Sequence, residues 1–284
     1  MLVINTNQTS IQYLKLRDAL WYECLENSYG FLRESWSGHW LGMPWVLNEC
    51  LLFLHIDEKN ISKTAKSMLA AAQSVALEIE NTYQNQPHFT EPKYHNRLHF
   101  ADALTSMSIQ LAILVELENK ANHDWMVCAL LTCIAHDFLH PGKVNLVESE
   151  IEQQSFNLLK PTLLFHFVPL EWQQVIETAI VRSDFAIVHR NHAIVNGENF
   201  EWNGKWLCVV LNEADVMASA SSKYGPALGE SLAQEWRLID FPYHSSVASI
   251  GERITFLKQL LFSSPASLVL GWSQRISDQT RSMP

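Results

Sequence analysis

The chain has 284 residues, enough for one large domain or two small ones, and its 48% hydrophobic and 18% charged residues are typical of a globular protein with a sizeable core. The formal net charge of −10 disfavours binding to a nucleic acid polymer, which depends on Lys and Arg, although a bound metal could still attract a small anion. The five cysteines are widely spread and form no CxxC pair, which argues against a disulfide framework or a zinc finger and predicts buried or neutral thiols.

The N-terminal segment 1–18 has no basic region followed by an apolar run, so it does not resemble a signal peptide. The longest apolar run, 126–135, is too short to cross a bilayer, which requires about 20 residues. We therefore expect a cytoplasmic protein without a membrane partner.

Apolar residues at helical spacing indicate a mostly helical chain. The predicted helices span 62–83, 99–120, 124–140, 148–160, 169–183, 206–221, 229–239 and 247–262. The helix 124–140 is expected to stop at Pro141-Gly142. The stretch 193–206 holds two Asn-Gly pairs and predicts either a small hairpin or a surface loop.

No internal repeat or low-complexity linker divides the chain. We therefore expect a single helical catalytic domain over 1–272, in which N-terminal helices of 1–90 pack on a metal-site core at 91–272. The polar tail 273–284 is expected to be frayed.

Two short runs, YHNRLHFAD at 94–102 and HDFLHPGKVN at 136–145, concentrate imidazoles and carboxylates. His95 and His99 are four residues apart, so a helix would project both on one side, one as a metal ligand and the other toward a substrate. His136 and Asp137 follow an apolar run and are expected to lie at depth, where a metal would compensate the buried carboxylate. Imidazole with carboxylate suits zinc or another transition metal, whereas carboxylate with water suits magnesium or manganese.

Such a site needs one more carboxylate from distant sequence, and Asp215, inside the apolar helical pattern 208–219, is the best candidate. Each residue also has a plainer interpretation. A single histidine on an apolar face is usually a hydrogen-bonded core residue, and Asp102 is more often a supporting acid than a ligand. At least two acids of the run Glu148, Glu150 and Glu152 are expected to face solvent.

The sequence resembles a known family at ten motif positions with the family spacing: Tyr94-His95-Asn96-x-x-His99 and His136-Asp137-x-x-His140-Pro141-Gly142-x-x-Asn145. This pattern is similar to the catalytic domain of class I cyclic nucleotide phosphodiesterases, within the HD-domain metal-dependent phosphohydrolases. The resemblance covers about 94–220 and implies an all-α, compact multi-helix domain with a metal centre in a helical pocket.

The resemblance also implies residue roles. A first divalent metal, zinc, would be held by His99, His136, Asp137 and Asp215. Asp137 would also bridge to a second ion, magnesium or manganese, whose other ligands are mainly water.

His95 would act as the general acid, His140 and Glu152 would orient the bridging hydroxide and the waters, and Tyr94 would contact the substrate. The implied activity is that of a phosphodiesterase that cleaves a cyclic nucleotide or a related small phosphoester by attack of a metal-activated hydroxide.

The chain departs from the family pattern at several positions. Gln153 and Gln154 stand where the family usually has two histidines, and the segment between Asn145 and Glu152 is shorter than usual. The glutamine and phenylalanine that hold a purine in the family correspond either to Ser249 and Glu252 or, in a second register, to Gln259 and Phe262.

Two other functions remain open at this point. One is a non-hydrolytic, metal-stabilised sensor that binds a nucleotide or a protein partner, and the other is a di-iron oxygenase. The sequence does not specify an oligomeric state.

Overall fold

The computed structural model describes residues 10–85, 91–242 and 244–283, with side chains from residue 20 onward except at residue 85. Positions 1–9 and 86–90 of the predicted N-terminal helical region, position 243 and the last residue of the tail lie outside the described residues.

Every regular element within the described ranges is a helix, as the sequence predicts, and no strand occurs in them. The α-helices are α1 (Ser10–Ser37), α2 (Met43–Phe53), α3 (Lys63–Asn85), α4 (Arg97–Glu118), α5 (His123–Ala135), α6 (Glu150–Phe165), α7 (Leu170–Val181), α8 (Val188–Ile194), α9 (Gly204–Ala220), α10 (Gly225–Leu238), α11 (Ile250–Gln259), α12 (Pro265–Val269) and α13 (Trp272–Ser282). A short 3-10 helix spans Glu58–Asn60.

Helix α4 is the central element of the fold. It packs against α1, α2, α5, α9 and α12, and most of its side chains are buried. By length and composition α4 could cross a membrane, but 78% of its most apolar window is buried inside the fold. Its hydrophobic character is therefore accounted for by core packing.

The region around 136–140 differs from the prediction of one helix over 124–140. Helix α5 ends at Ala135, and His136 forms its C-cap. Leu139 has a left-handed backbone (φ 57°), and His140 N donates to Asp137 O at 2.9 Å. A left-handed residue two positions before Pro141 prevents the helix from continuing, so His136, Asp137 and His140 lie on a tight turn.

The other predicted boundaries also shift. The stretch 193–206 forms no hairpin: it contains the end of α8, a loop, and the start of α9, where Asn203 Oδ1 accepts from Trp206 N at 3.1 Å. Helix α11 ends at Gln259 rather than 262. The tail is not frayed over its length, because α13 occupies 272–282 and Gln279 bonds to α9 and α11.

The cysteine prediction is confirmed. All five thiols are free, and four of them are buried. Burial raises the pKa of Cys24, Cys50 and Cys208 to about 11 and that of Cys128 to about 12, so these groups are neutral at physiological pH.

Candidate metal centre

Four side chains predicted from three distant segments meet at one point. His99 comes from α4, His136 and Asp137 from the turn after α5, and Asp215 from α9. One ligand atom of each lies within 4.8 Å of the others. His99 Nε2 is 3.2 Å from an oxygen of Asp137 and 3.2 Å from one of Asp215, and His136 Nε2 is 3.3 Å and 3.4 Å from the same two oxygens.

Local structure fixes both histidine rings. The Asn96 side chain caps α4 by accepting from Leu98 N and His99 N, which sets His99 in the first helical turn. His136 Nδ1 donates to the carbonyl of Cys133 at 2.7 Å, at the C-terminal end of α5. This bond places the proton of a neutral His136 on Nδ1 and leaves Nε2, the atom facing the carboxylates, as a lone-pair donor.

The electrostatics of the cluster favour an added positive charge. Burial alone would raise the pKa of Asp137 and Asp215, but contact with His136 and His99 holds both pKa values well below the ordinary range. Burial likewise would lower the pKa of His99, but the two carboxylates raise it to about 9. Among the described residues no Lys or Arg pairs with Asp137 or Asp215. The positive charge that compensates the two carboxylates must therefore come from imidazolium or from a bound cation. The nitrogen and oxygen donor set fits a divalent metal.

Asp102 is not part of the metal cluster but anchors the helix that carries His99. It lies one helical turn after His99 and is 1% exposed. Both of its oxygens accept from the Arg33 guanidinium at 2.8 Å. Arg33 itself lies against the rings of Tyr29 and Tyr224, so this ion pair ties α1 and the start of α10 to the helix that carries His99.

A second cluster, His95, His140 and Glu235, adjoins the first. The rings of His95 and His140 stack with centroids 3.7 Å apart, and His95 Nδ1 is 2.5 Å from Glu235 Oε1. Glu235 Oε2 also accepts from the backbone N–H groups of Tyr94 at 2.7 Å and His95 at 3.1 Å. One buried carboxylate thus holds both the backbone and the ring of His95.

The pKa values of the second cluster follow from these contacts. Burial would raise the pKa of Glu235, but the bonds from His95 and from the two backbone N–H groups lower it to about 2. Burial, followed by repulsion from His95, lowers the pKa of His140 to about 3. His140 is therefore a neutral ring, and its Nδ1 accepts from Gly142 N at 3.1 Å.

Sequence reasoning did not identify Glu235. The available sequence signal was weak: Glu235 is an acid at a position that falls on the buried side of the amphipathic helix α10. In the structure this residue is 2% exposed. Gly142, with φ 67°, passes close to this acid, and a Cβ at Gly142 would lie 3.3 Å from Glu235 Cγ. The glycine of the HPG run therefore permits the close approach of α10 to the turn.

Tyr94 lies beside the metal cluster, whereas Glu152 is bonded to Asn145. The Tyr94 ring lies 5.0 Å from the His99 ring, and its hydroxyl is 2.8 Å from Ser219 Oγ. Glu152 accepts from Asn145 Nδ2 at 2.8 Å, and burial raises its pKa to about 7. Of the acidic run, Glu148 and Glu150 are exposed, as expected for at least two of its members.

The residues proposed for base recognition do not form a recognisable clamp. Gln259 is exposed at the end of α11, whereas Phe262 is 8% exposed and stacks on Trp272 at 5.0 Å in the core. In the other register, the Ser249 side chain caps α11 by accepting from Glu252 N at 3.2 Å, and Glu252 is exposed. Within the described contacts, none of these four side chains is bonded to the metal cluster.

Comparison with solved structures confirms the fold. The chain resembles the structure of LmjPDEB1, a Leishmania phosphodiesterase catalytic domain in complex with IBMX, with a TM-score of 0.53 over 96% of this chain and 86% of that one, at 12% sequence identity. The predicted resemblance to phosphodiesterase catalytic domains is thus confirmed at the level of the fold.

Comparison of sequences gives a short match. The chain is 39% identical over 66 residues to the cGMP-specific 3',5'-cyclic phosphodiesterase delta of Plasmodium falciparum. The match spans 23% of this chain and 8% of that protein's length. No protein-family model matches the chain.

Proposed function

We propose that this protein is a metal-dependent phosphodiesterase that cleaves a cyclic nucleotide or a related small phosphodiester. The observation that carries the proposal is the adjacency of two clusters: a buried nitrogen and oxygen ligand set, and a histidine held by a carboxylate. The first suits a metal, and the second suits proton transfer to a leaving oxygen. The fold of a phosphodiesterase catalytic domain supports the same assignment.

In this proposal His99, His136, Asp137 and Asp215 would hold one divalent ion, zinc, and Asp137 would also be a ligand of a second ion, magnesium or manganese. When bound, the two ions would polarise the phosphoryl group and supply an activated water as nucleophile. The chain's own contribution is a rigid set of donors, because His136 is fixed through its Nδ1 bond to Cys133 and His99 by the Asn96 cap.

His95 is the general acid in this proposal. Its Nδ1–H donates to Glu235, so Nε2 is the atom that holds the proton to be transferred to the departing oxygen. The stacked, neutral His140 fixes the plane of the His95 ring without adding a competing charge. Glu152, with a pKa of about 7, can both accept and donate a hydrogen bond to water near neutral pH.

Tyr94, whose ring lies 5.0 Å from that of His99, is the proposed substrate contact beside the metal cluster, and Gln259 and Phe262 remain the proposed contacts for a base. Phe262 would have to leave its stack on Trp272 to clamp a ring, so we place the substrate class at the level of a phosphodiester rather than of a particular purine. We further propose one catalytic domain over 1–272, a cytoplasmic location, and no nucleic acid polymer or membrane as partner.

The test is a hydrolysis screen with added manganese, magnesium or zinc. The substrates are cyclic AMP, cyclic GMP, bis(p-nitrophenyl) phosphate and simple monoesters. Asp137→Ala is the blank, and Asp278→Ala, which removes an exposed acid of α13, is the matched control.

Turnover of a diester that disappears in Asp137→Ala and persists in Asp278→Ala supports the proposal. If the metal-loaded protein hydrolyses no substrate, the proposal is wrong, and the sensor hypothesis takes its place.

A further inference from the structure

A cavity lies away from the metal centre, between α1, α2 and α4. Its volume is about 580 Å³, within the range of small-molecule sites. It opens to solvent where Phe31 is 47% and Leu52 is 60% exposed. None of the residues of the two histidine clusters lines it.

The α2 wall of the cavity combines aromatic rings with one carboxylate. Trp45, Glu49 and Phe53 follow one another at four-residue spacing, so they project from the same side of α2. On one side of the cavity, the Phe31 ring of α1 packs directly against the Trp45 ring, with centroids 5.8 Å apart. Glu49 thus has an aromatic residue one helical turn away on either side, and a carboxylate near aromatic rings attracts an organic cation through both the charge and the ring quadrupoles.

The lining carries one acid and no permanently cationic side chain. Glu49 is the acid among the residues that line the cavity, which include no Lys or Arg and a single imidazole, that of His55. Among the side chains that the structure describes, no Lys or Arg forms an ion pair with Glu49. The floor on α4 is neutral and includes Thr105, Ser108 and Ile109.

We propose that this cavity binds a small organic ammonium ion with an apolar or aromatic body. The ammonium group would lie at Glu49, and the body would pack against the Phe31–Trp45 pair and Phe53. The site is separate from the phosphodiesterase chemistry. Thr105 is the lining residue of α4 nearest to His99, and it lies six residues after His99, or roughly 9 Å along the helix axis.

The test compares three probes that share one phenylpropyl body: phenylpropylamine as the cation, phenylpropanol as the neutral form and phenylpropanoate as the anion. Binding to the full chain is measured by titration calorimetry. We expect the amine to bind about tenfold more tightly than the alcohol, with the anion weakest.

Variants locate the site. Glu49→Gln keeps the shape of the side chain and should remove the preference for the amine over the alcohol. Glu58 is an exposed acid outside the cavity, so Glu58→Gln should leave that preference unchanged. Phe31→Ala should weaken the amine and the alcohol alike, and thermal unfolding checks that each variant is folded.

Three results would overturn the proposal. The first is equal affinity of the protein for the three probes. The second is a preference for the amine that Glu49→Gln retains, as Glu58→Gln is expected to. The third is loss of amine binding in Asp137→Asn, which would place the ligand at the metal centre. Because no assay here depends on turnover, failure of the cavity proposal and failure of the phosphodiesterase proposal are distinguishable.

Discussion

Replacement of Glu235 by Gln tests how the carboxylate acts on His95. The carboxylate accepts three hydrogen bonds: from His95 Nδ1 at 2.5 Å, Tyr94 N at 2.7 Å and His95 N at 3.1 Å. A Gln of the same size has one acceptor oxygen, so its amide group must face either the two backbone N–H groups or the ring nitrogen. In both orientations the uncharged side chain loses the stabilisation of an imidazolium ring.

The size of the effect follows from the lost bond. A hydrogen bond to a charged group contributes about 1.5–3 kcal/mol, which corresponds to roughly 10- to 100-fold in rate if it acts on the transition state. We therefore expect Glu235→Gln to reduce kcat for a cyclic nucleotide by this factor. His95→Gln, which removes the proton donor itself, should cost about 10²- to 10⁴-fold.

The assay uses two substrates that differ in their need for an acid. The alkoxide that leaves a cyclic nucleotide requires protonation, whereas p-nitrophenolate leaves readily without it. Both variants should therefore lose far more activity on the cyclic nucleotide than on bis(p-nitrophenyl) phosphate. Bound metal, measured by elemental analysis, should remain unchanged, because Glu235 lies outside the four-residue metal cluster.

Equal losses on the two substrates, with full metal content, would refute the reasoning that Glu235 acts through proton donation by His95. Loss of metal in Glu235→Gln would instead assign the residue to the structure of the metal site. Glu230→Gln is the matched control, because Glu230 is an exposed acid on the same helix.

Further predictions concern stability. Arg33→Met should lower the free energy of unfolding by about 3–5 kcal/mol, because it leaves the 1% exposed Asp102 unpaired. The double variant with Asp102→Asn should regain part of the lost stability. If the free-energy effects of the two substitutions simply add, the prediction is wrong. Burial lowers the pKa of His192 to about 4 from its ordinary 6.5. Between pH 6.5 and 4 the unfolded chain therefore binds a proton at His192 that the folded chain does not. The free energy of unfolding should consequently fall by up to about 3 kcal/mol as the pH drops from 6.5 to 4. In denaturant titrations across this pH range, His192→Gln should show a smaller pH dependence than the native protein. Chelation of divalent metal should lower the unfolding temperature of the native protein but not that of Asp137→Ala, which has already lost a ligand.

The features predicted most reliably were those encoded by local sequence. The helical classification follows from apolar spacing, which depends on residues three or four positions apart. The prediction that Asp215 joins His99, His136 and Asp137 rested on an acid inside an apolar helical pattern and on the resemblance, and their proximity agrees with it. Boundaries were less accurate: helix α5 ends five residues early, because a left-handed Leu139 turns the chain before the proline is reached.

Sequence alone determined which residue types could act as ligands and in which order they occur along the chain. It also indicated the helices and turns that carry them, because capping and turn formation depend on neighbouring residues. Tertiary packing decided which distant side chains meet. Glu235 reaches His95 across 140 positions, and Arg33 reaches Asp102 across 69, contacts that no local pattern encodes. Packing also decided that Phe262 stacks in the core while Gln259 faces solvent, because burial at a helix end depends on the elements that cover it.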